Sequence, residues 1–308
     1  MGIDHQTLRL LLAARRRGAR LDRCITLGRQ DILVPAPALV AAFAEYGLPL
    51  TLDRARALLS ECDRFADPLL RELGAVVTDS MDRSAFEGAT VLHDLNEPLP
   101  ETLRARYSFV FDGGTLEHVF HFPQALRNCM DLTAVGGHVV LISPANNFMG
   151  HGFYQISPEL FWRALSPENG FEIDSVILAP AFAEGTWLRV RDPAQAGERI
   201  GHNGGIRPLY LFAIARRTAI KPIFATPPQQ SDYAAEWSGK PDKLRDPGRL
   251  SFLDEAAARR PSAASRLKSA VRALIPDALR RVTRAYKDGR GASRPPDPRF
   301  FERFDSPR

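Results

Sequence analysis

The sequence predicts an α/β fold: a doubly wound sheet of seven strands, with a helical insertion near its start and a basic extension at its end. Three observations carry this. Short apolar runs alternate with amphipathic stretches from about residue 23 to residue 217, the rhythm of βαβ units. Residues 107–144, YSFVFDGGTLEHVFHFPQALRNCMDLTAVGGHVVLISP, hold one complete unit. From residue 220 the period stops, and proline, aspartate, lysine and glutamine take over.

The elements follow in order. Asp4 is placed to cap a helix over 5–17, with Leu8, Leu11 and Leu12 on one face and Gly18 at its end. Residues 23–27 read as the first strand, followed by Gly28, Arg29, Gln30 and Asp31. Two helices, 35–46 and 52–73, flank Gly47-Leu48-Pro49. This insertion, 35–73, reads as a lid or part of a substrate wall. Residues 75–81 form the second strand and 89–93 the third, which ends in Asp94-Leu95-Asn96. The fourth strand, 108–111, ends in Asp112-Gly113-Gly114. Pro123 opens a helix, Gly136-Gly137 stops it, and 138–142 is the fifth strand, closed by Ser143-Pro144. The stretch 146–155 packs Asn146, Asn147, His151, Tyr154 and Gln155 among glycines and phenylalanines without a period. That is the composition of a loop with polar groups aimed at something. A helix over 158–165, a strand over 172–178, a long loop and a last strand over 209–215 complete the unit.

Composition bounds the rest. With 308 residues, 44% apolar and 25% charged, the chain buries one large core. Cys24, Cys62 and Cys129 form no CxxC pair and read as free buried thiols in a reducing compartment, so the cytoplasm is expected. The net charge is +5, but residues 261–294 alone hold nine Lys/Arg against two Asp. The remainder is therefore slightly acidic and no polyanion binder, so no nucleic acid is expected as partner. The expected organisation is a domain over 1–219, a linker or wrapping segment over 220–261, and a basic tail over 262–308. Within the tail, 263–287 reads as a basic helix kinked at Pro276, and 288–308 as disorder. That helix suits a solvated face, a membrane surface or a nucleic-acid arm, with a membrane surface kept as a candidate partner. Motifs for a nucleophile elbow, a P-loop, a paired-CxxC zinc module or a GxGxxG dinucleotide turn are absent.

The string FVFDGGTLEHV at 109–119, with the helix, Gly-Gly and strand of 123–144, resembles the fourth and fifth strands of class I S-adenosylmethionine-dependent methyltransferases, in their small-molecule, type 11-like branch. The resemblance implies a Rossmann-like sheet that closes with an antiparallel pair, S-adenosylmethionine as cofactor, and a small-molecule acceptor. The usual glycine-rich first loop is reduced to Gly28 in ITLGRQDILVP. The resemblance implies that Gly28 and Arg29 hold the methionine end, Arg29 by pairing with its carboxylate. It assigns the ribose hydroxyls to Asp79 or Asp82, with Asp82 preferred for its spacing to Ser84, and the adenine to Asp94 and Leu95. Asp112, Gly113 and Gly114 line the cofactor at the fourth strand.

Methyl transfer is an in-line displacement, and a base is needed only where the acceptor loses a proton. His118 or His151 is expected to be that base, with Glu117 orienting the acceptor. Asn146, Asn147, Tyr154 and Gln155 are expected to bind the acceptor, a hydroxyl or amine on a sugar, a lipid or an aromatic. Glu117, His118 and His121 share a helical face but show no fourth ligand, so no metal is expected. The alternative is a methyltransferase-like binding or scaffold protein whose first loop no longer holds cofactor.

Overall fold

The computed structural model describes residues 2–183, 185–195, 207–239 and 298–304. The chain opens with β1 (Gly2–Ile3) and α1 (His5–Arg16), which Asp4 caps by accepting from the Thr7 amide at 2.8 Å. Next come β2 (Arg23–Leu27), β3 (Asp31–Ile32), α2 (Ala36–Glu45), α3 (Leu52–Glu61) and α4 (Asp67–Glu72). Then follow β4 (Val77–Asp82), β5 (Val91–Leu92), β6 (Tyr107–Gly113), α5 (Phe122–Leu132), β7 (Thr133–Asn146) and α6 (Pro158–Ala164). The described chain ends with β8 (Phe171–Pro180), β9 (Leu188–Val190), β10 (Leu209–Arg217), α7 (Ser231–Gly239) and β11 (Phe301–Arg303).

The main sheet runs β11-β9-β8-β10-β7-β6-β2-β4-β5. Strands β5, β4, β2, β6 and β7 are mutually parallel, and β10 lies antiparallel between β7 and β8. All seven anticipated strands are present, with the reversed closing pair, so the fold is the Rossmann-like, doubly wound one of class I methyltransferases. The order turns back between β2 and β6, the place where such sheets bind ligands beyond their carboxyl ends. Alternate residues of the central strands feed two apolar layers. Phe109, Phe111, Val140 and Ile142 pack with α1 and the inserted helices. Val110, Val139 and Leu141 pack with Leu126 and Met130 of α5 and Phe161 of α6. Each fully buried phenylalanine contributes roughly 2–3 kcal/mol by leaving water.

Four features depart from the sequence reading. The sheet has nine strands, because β9 and β11 extend it beyond β8. Residues 298–304, expected to be disordered, form a turn and β11, and they bury Phe300, Phe301 and Phe304. Phe304 lies under the Arg17 guanidinium at 5.0 Å and beside the Trp187 ring at 5.6 Å. The second inserted helix is two, α3 and α4, divided where Asp63 and Arg64 take positive φ of 39° and 67°. Gly136 and Gly137 lie inside β7 rather than stopping α5; a Cβ at Gly137 would press within 3.0 Å of the Tyr107 and Ser108 carbonyls.

In the expected linker, α7 is tied to α6 by Ser231, whose amide and hydroxyl both donate to Glu159. The expected basic helix over 263–287 lies outside the described residues. Among the described residues no helix is long and apolar enough to cross a membrane. The three cysteines are free and buried.

Candidate active site

The carboxyl ends of β6 and β7 meet the N-terminal segment at a cavity of about 140 Å³. β6 brings Gly113 to it, and Gly114 follows directly. A 3-10 turn, Leu116–His118, brings Glu117. β7 adds Ile142, Ser143 and Pro144, the loop after it Phe148 and His151, β10 Tyr210, and the N-terminal segment Asp4 and Thr7. A wider groove of about 560 Å³ adjoins it, walled by Leu33, Val34, Pro35, Ala38 and Phe182. The start of the inserted helices thus forms part of the outer wall.

Buried acid dominates the inner end. Asp112 is fully buried, and its Oδ1 accepts from the Thr115 amide at 2.8 Å, while Oδ2 has no partner among the described residues. Burial holds this carboxyl above the usual range, against the pull of the Thr115, Leu116 and Gly114 amides. Glu117 is 2% exposed and its Oε2 is likewise without a partner. Burial first, and the neighbouring Asp112 charge second, raise the Glu117 carboxyl too.

Two histidines face the Glu117 carboxylate. His151 Nε2 lies 3.5 Å and His118 Nε2 4.0 Å from Oε1, and the two rings meet edge to face at 5.0 Å. Burial and the neighbouring His151 lower the His118 pKa. What brings His151 here is Gly152. Its φ is +71°, and a Cβ there would lie 2.8 Å from the Glu117 carbonyl, so only glycine lets the loop approach. The Phe153 amide then donates to that same carbonyl at 2.7 Å. His121, which helical spacing groups with Glu117 and His118, is elsewhere: its amide donates to Asn96 Oδ1.

The amides of the 146–155 loop bond within the loop and to the chain just before β10. Asn146 Oδ1 accepts from the Asn147 amide, Asn147 Nδ2 donates to the Arg207 carbonyl, and Gln155 Oε1 accepts from the Phe148 amide. Tyr154 donates to the Phe120 carbonyl at 2.6 Å. None of these four lines the cavity.

The other half of the edge lies past β2, β4 and β5. Gly28 has φ +65°, and a Cβ there would press on Thr115 Oγ1 at 3.1 Å. Asp82 ends β4; its Oδ1 accepts from the Ser84 amide at 2.9 Å, and its Oδ2 has no partner among the described residues. Leu95 is buried in the turn after β5. Asp94 is engaged on both oxygens, by Asn96 and by Arg83 at 3.2 Å, and the Asn96 bonds hold its carboxyl below the usual range. Asp79 lies mid-strand opposite Ile25, accepting from Tyr107 and Thr90 hydroxyls, away from the strand end. Arg29 is committed to the Glu87 carbonyl, to Asp67 and to the Phe65 ring 4.0 Å away.

Sequence reasoning missed Gln30, Tyr210 and the site role of Asp4. Gln30 is buried, donates through Nε2 to the Leu27 carbonyl at 2.7 Å, and fills the space where a Cβ on Gly113 would stand. Among the described residues its Oε1 has no partner, nor has the buried Ser143 Oγ. Tyr210 donates to Asp4 Oδ2 at 3.3 Å. The signal that finds them is an orphaned or paired polar atom at the strand ends, which emerges only once the strands are assembled.

No family model matches the chain, and no curated protein matches it. Among solved structures, 1,6-didemethyltoxoflavin-N1-methyltransferase from Burkholderia thailandensis, with bound 1,6-didemethyltoxoflavin and S-adenosylhomocysteine, is 15% identical; the match covers 70% of this chain and 78% of that one, at a TM-score of 0.35. The N-methyltransferase NodS from Bradyrhizobium japonicum, in complex with S-adenosyl-L-homocysteine, is 11% identical over 70% and 87%, at 0.37. A 16S rRNA (adenine(1408)-N(1))-methyltransferase from Catenulisporales acidiphilia is 11% identical over 68% and 91%, at 0.33. Scores this low carry no weight for activity, and the fold rests on the strand order of the sheet itself.

Proposed function

We propose that this protein is an S-adenosylmethionine-dependent methyltransferase acting on a small molecule held in the cavity at the ends of β6 and β7. One observation carries the reading: the seven-strand order with its reversed closing strand puts Gly28, Asp82 and Leu95 at or past the carboxyl ends of β2, β4 and β5, on the same side of the sheet as a cavity lined by buried acid and histidine. Bound there, the cofactor supplies an activated methyl group for in-line transfer.

The residues present suit it. The open Asp82 oxygen is free to accept from a ribose hydroxyl, and Leu95 offers an apolar contact for the base. Positive φ at Gly28 lets the backbone come close. At the amino-acid end, the orphaned Gln30 Oε1 is an acceptor for an ammonium group, a role at the end that the sequence reading gave to Arg29. Asp79 is left out because both its oxygens are engaged inside the sheet. Glu117, His118 and His151 orient the acceptor, and a neutral imidazole takes its proton where the acceptor is a hydroxyl. The groove walled by Leu33, Ala38 and Phe182 suits an apolar portion of that acceptor. The catalytic unit is the domain over 1–219, with β11 added to its edge, working in the cytoplasm.

A second reading, a binding protein on the same fold, is favoured by Gln30 alone, whose side chain fills the space over Gly113. Calorimetric titration with S-adenosylmethionine and S-adenosylhomocysteine separates the two. The enzyme reading expects micromolar binding weakened at least tenfold by Asp82→Ala, about 1.4 kcal/mol or more. No binding up to millimolar cofactor leaves the binding-protein reading.

A further inference from the structure

We infer that Glu117, His118 and His151 bind one divalent first-row transition-metal ion, whose open positions face the cavity and take an oxygen donor of the acceptor. Their ligand atoms all lie within 4.8 Å of one another. An ion held at about 2.0–2.2 Å from each donor sets neighbouring donors roughly 3.0–3.5 Å apart. The carboxylate–imidazole separations here are 3.5 and 4.0 Å, so small rotations of two side chains close the site. Two imidazoles and one carboxylate on one side of an ion, with open positions on the other, is a donor set suited to such metals.

The second, independent observation is a pair of buried carboxyl oxygens without hydrogen-bond partners among the described residues. Glu117 is 2% exposed, lines the cavity, and carries an Oε2 with no hydrogen-bond partner among the described residues. The fully buried Asp112 beside it has an orphaned Oδ2 as well. Neither has an Arg or Lys partner among the described residues. Burial opposes the ionisation of two neighbouring carboxyls, and a dication bound beside them favours the ionised form that coordinates it. The histidine rings are positioned for the same role. Each is partly exposed, with its Nε2 turned towards Glu117.

The ion deepens the methyltransferase reading but does not depend on it, because its ligands leave Gly28, Asp82 and Leu95 untouched. It changes the part played by the histidines. As ligands they no longer take a proton, and a coordinated acceptor hydroxyl is made more acidic by the ion instead. The substrate class narrows to acceptors with an oxygen donor able to reach a metal, such as a hydroxyl beside a second oxygen.

The test uses the full chain without a polyhistidine tag, stripped with chelator and titrated with Co2+, Mn2+, Zn2+ and Mg2+ in the absence of cofactor. The expected result is one transition-metal ion per chain, with affinity falling about 100-fold or more in Glu117→Gln and in His151→Ala. With Co2+, visible absorption bands appear in the wild type and vanish in His118→Ala. Those two histidine rings are partly exposed, so their alanine variants fold and decide the matter even if Glu117→Gln does not. Binding of Mg2+ alone, no stoichiometric binding, or binding that the three variants leave unchanged overturns the proposal. Cofactor titration of the stripped protein reads the other site separately, so failure of one is distinguishable from failure of both.

Discussion

The two edges of the same sheet bury polar groups in opposite ways. At the amino edge of the parallel strands most are answered, with Arg23 Nε and His138 Nδ1 as exceptions among the described residues. Arg217, 2% exposed, donates through one nitrogen to the Met130, Asp131 and Thr133 carbonyls at 2.8–3.3 Å and through Nε to Ala219. It thereby closes the C-terminal end of α5, where a cation is favoured by the helix dipole. Asp79 is held by two hydroxyls, and Ser108 Oγ both accepts from and donates to the Arg23 backbone. At the carboxyl edge Gln30, Asp112, Glu117 and Ser143 each leave a buried atom unanswered among the described residues. A satisfied buried network is architecture; an unsatisfied one is held in place by the rest of the fold and is waiting for something. The contrast separates scaffold from site without reference to any relative.

The largest effect that would break this contrast is at Arg217. Arg217→Met removes the donor from three carbonyls at once and is expected to destabilise the protein by about 3–5 kcal/mol, with cofactor and metal affinity unchanged in whatever remains folded. Chemical denaturation checks the first part and titration at low temperature the second. A stable variant with lost binding would mean that the two edges are not separable.

Glu117→Gln is the mirror experiment, with a smaller effect and the opposite sign. It removes a carboxyl whose ionisation burial opposes, so at neutral to mildly alkaline pH the metal-free variant is expected to be more stable than the wild type by roughly 1–2 kcal/mol. Denaturant midpoints in chelator check this. Adding a transition metal should close the gap by stabilising only the wild type. A destabilised variant would show that Glu117 holds the turn together through a bond the orphaned Oε2 conceals.

The strands were legible because each is an apolar run bounded by residues that break it: Gly28, Asp82, Asp112 and Pro144 stand at or beside the ends of β2, β4, β6 and β7. Parallel strands buried on both faces write that signal strongly. The edge strands wrote it weakly. β11 is three residues long and lies far along the chain from β9, its partner; only the aromatic cluster of Phe300, Phe301 and Phe304 marked it. Of the site, the acids and histidines after β6 were legible because strand ends are where ligands bind. Their grouping was not. Helical spacing pointed from His118 to His121, whereas Leu116–His118 is a single 3-10 turn and the partner is His151, delivered by a loop that two positive-φ glycines, Gly150 and Gly152, fold back. The amides at 146 and 155 bond within their own loop and the one at 147 reaches Arg207, pairings that loop composition does not reveal.

The smallest expected effect lies at His138, an exception at the amino edge. It is buried, its Nδ1 has no partner among the described residues, and burial, with Arg216 second, depresses its pKa below 6.5. The folded protein therefore holds it neutral. Its contribution to stability is fully present above the unfolded value of 6.5 and is lost as pH falls through the folded value, because the unfolded chain takes up the proton first. His138→Phe removes that titration. The expected outcome is a shallower fall in denaturant midpoint between neutral and mildly acidic pH, with no change in metal affinity at neutral pH. An unchanged slope would mean that the acid sensitivity belongs to the carboxyl edge. A changed metal affinity would mean that the β7 backbone carries strain from one edge to the other, and the separation of scaffold from site would then have to be redrawn along β7.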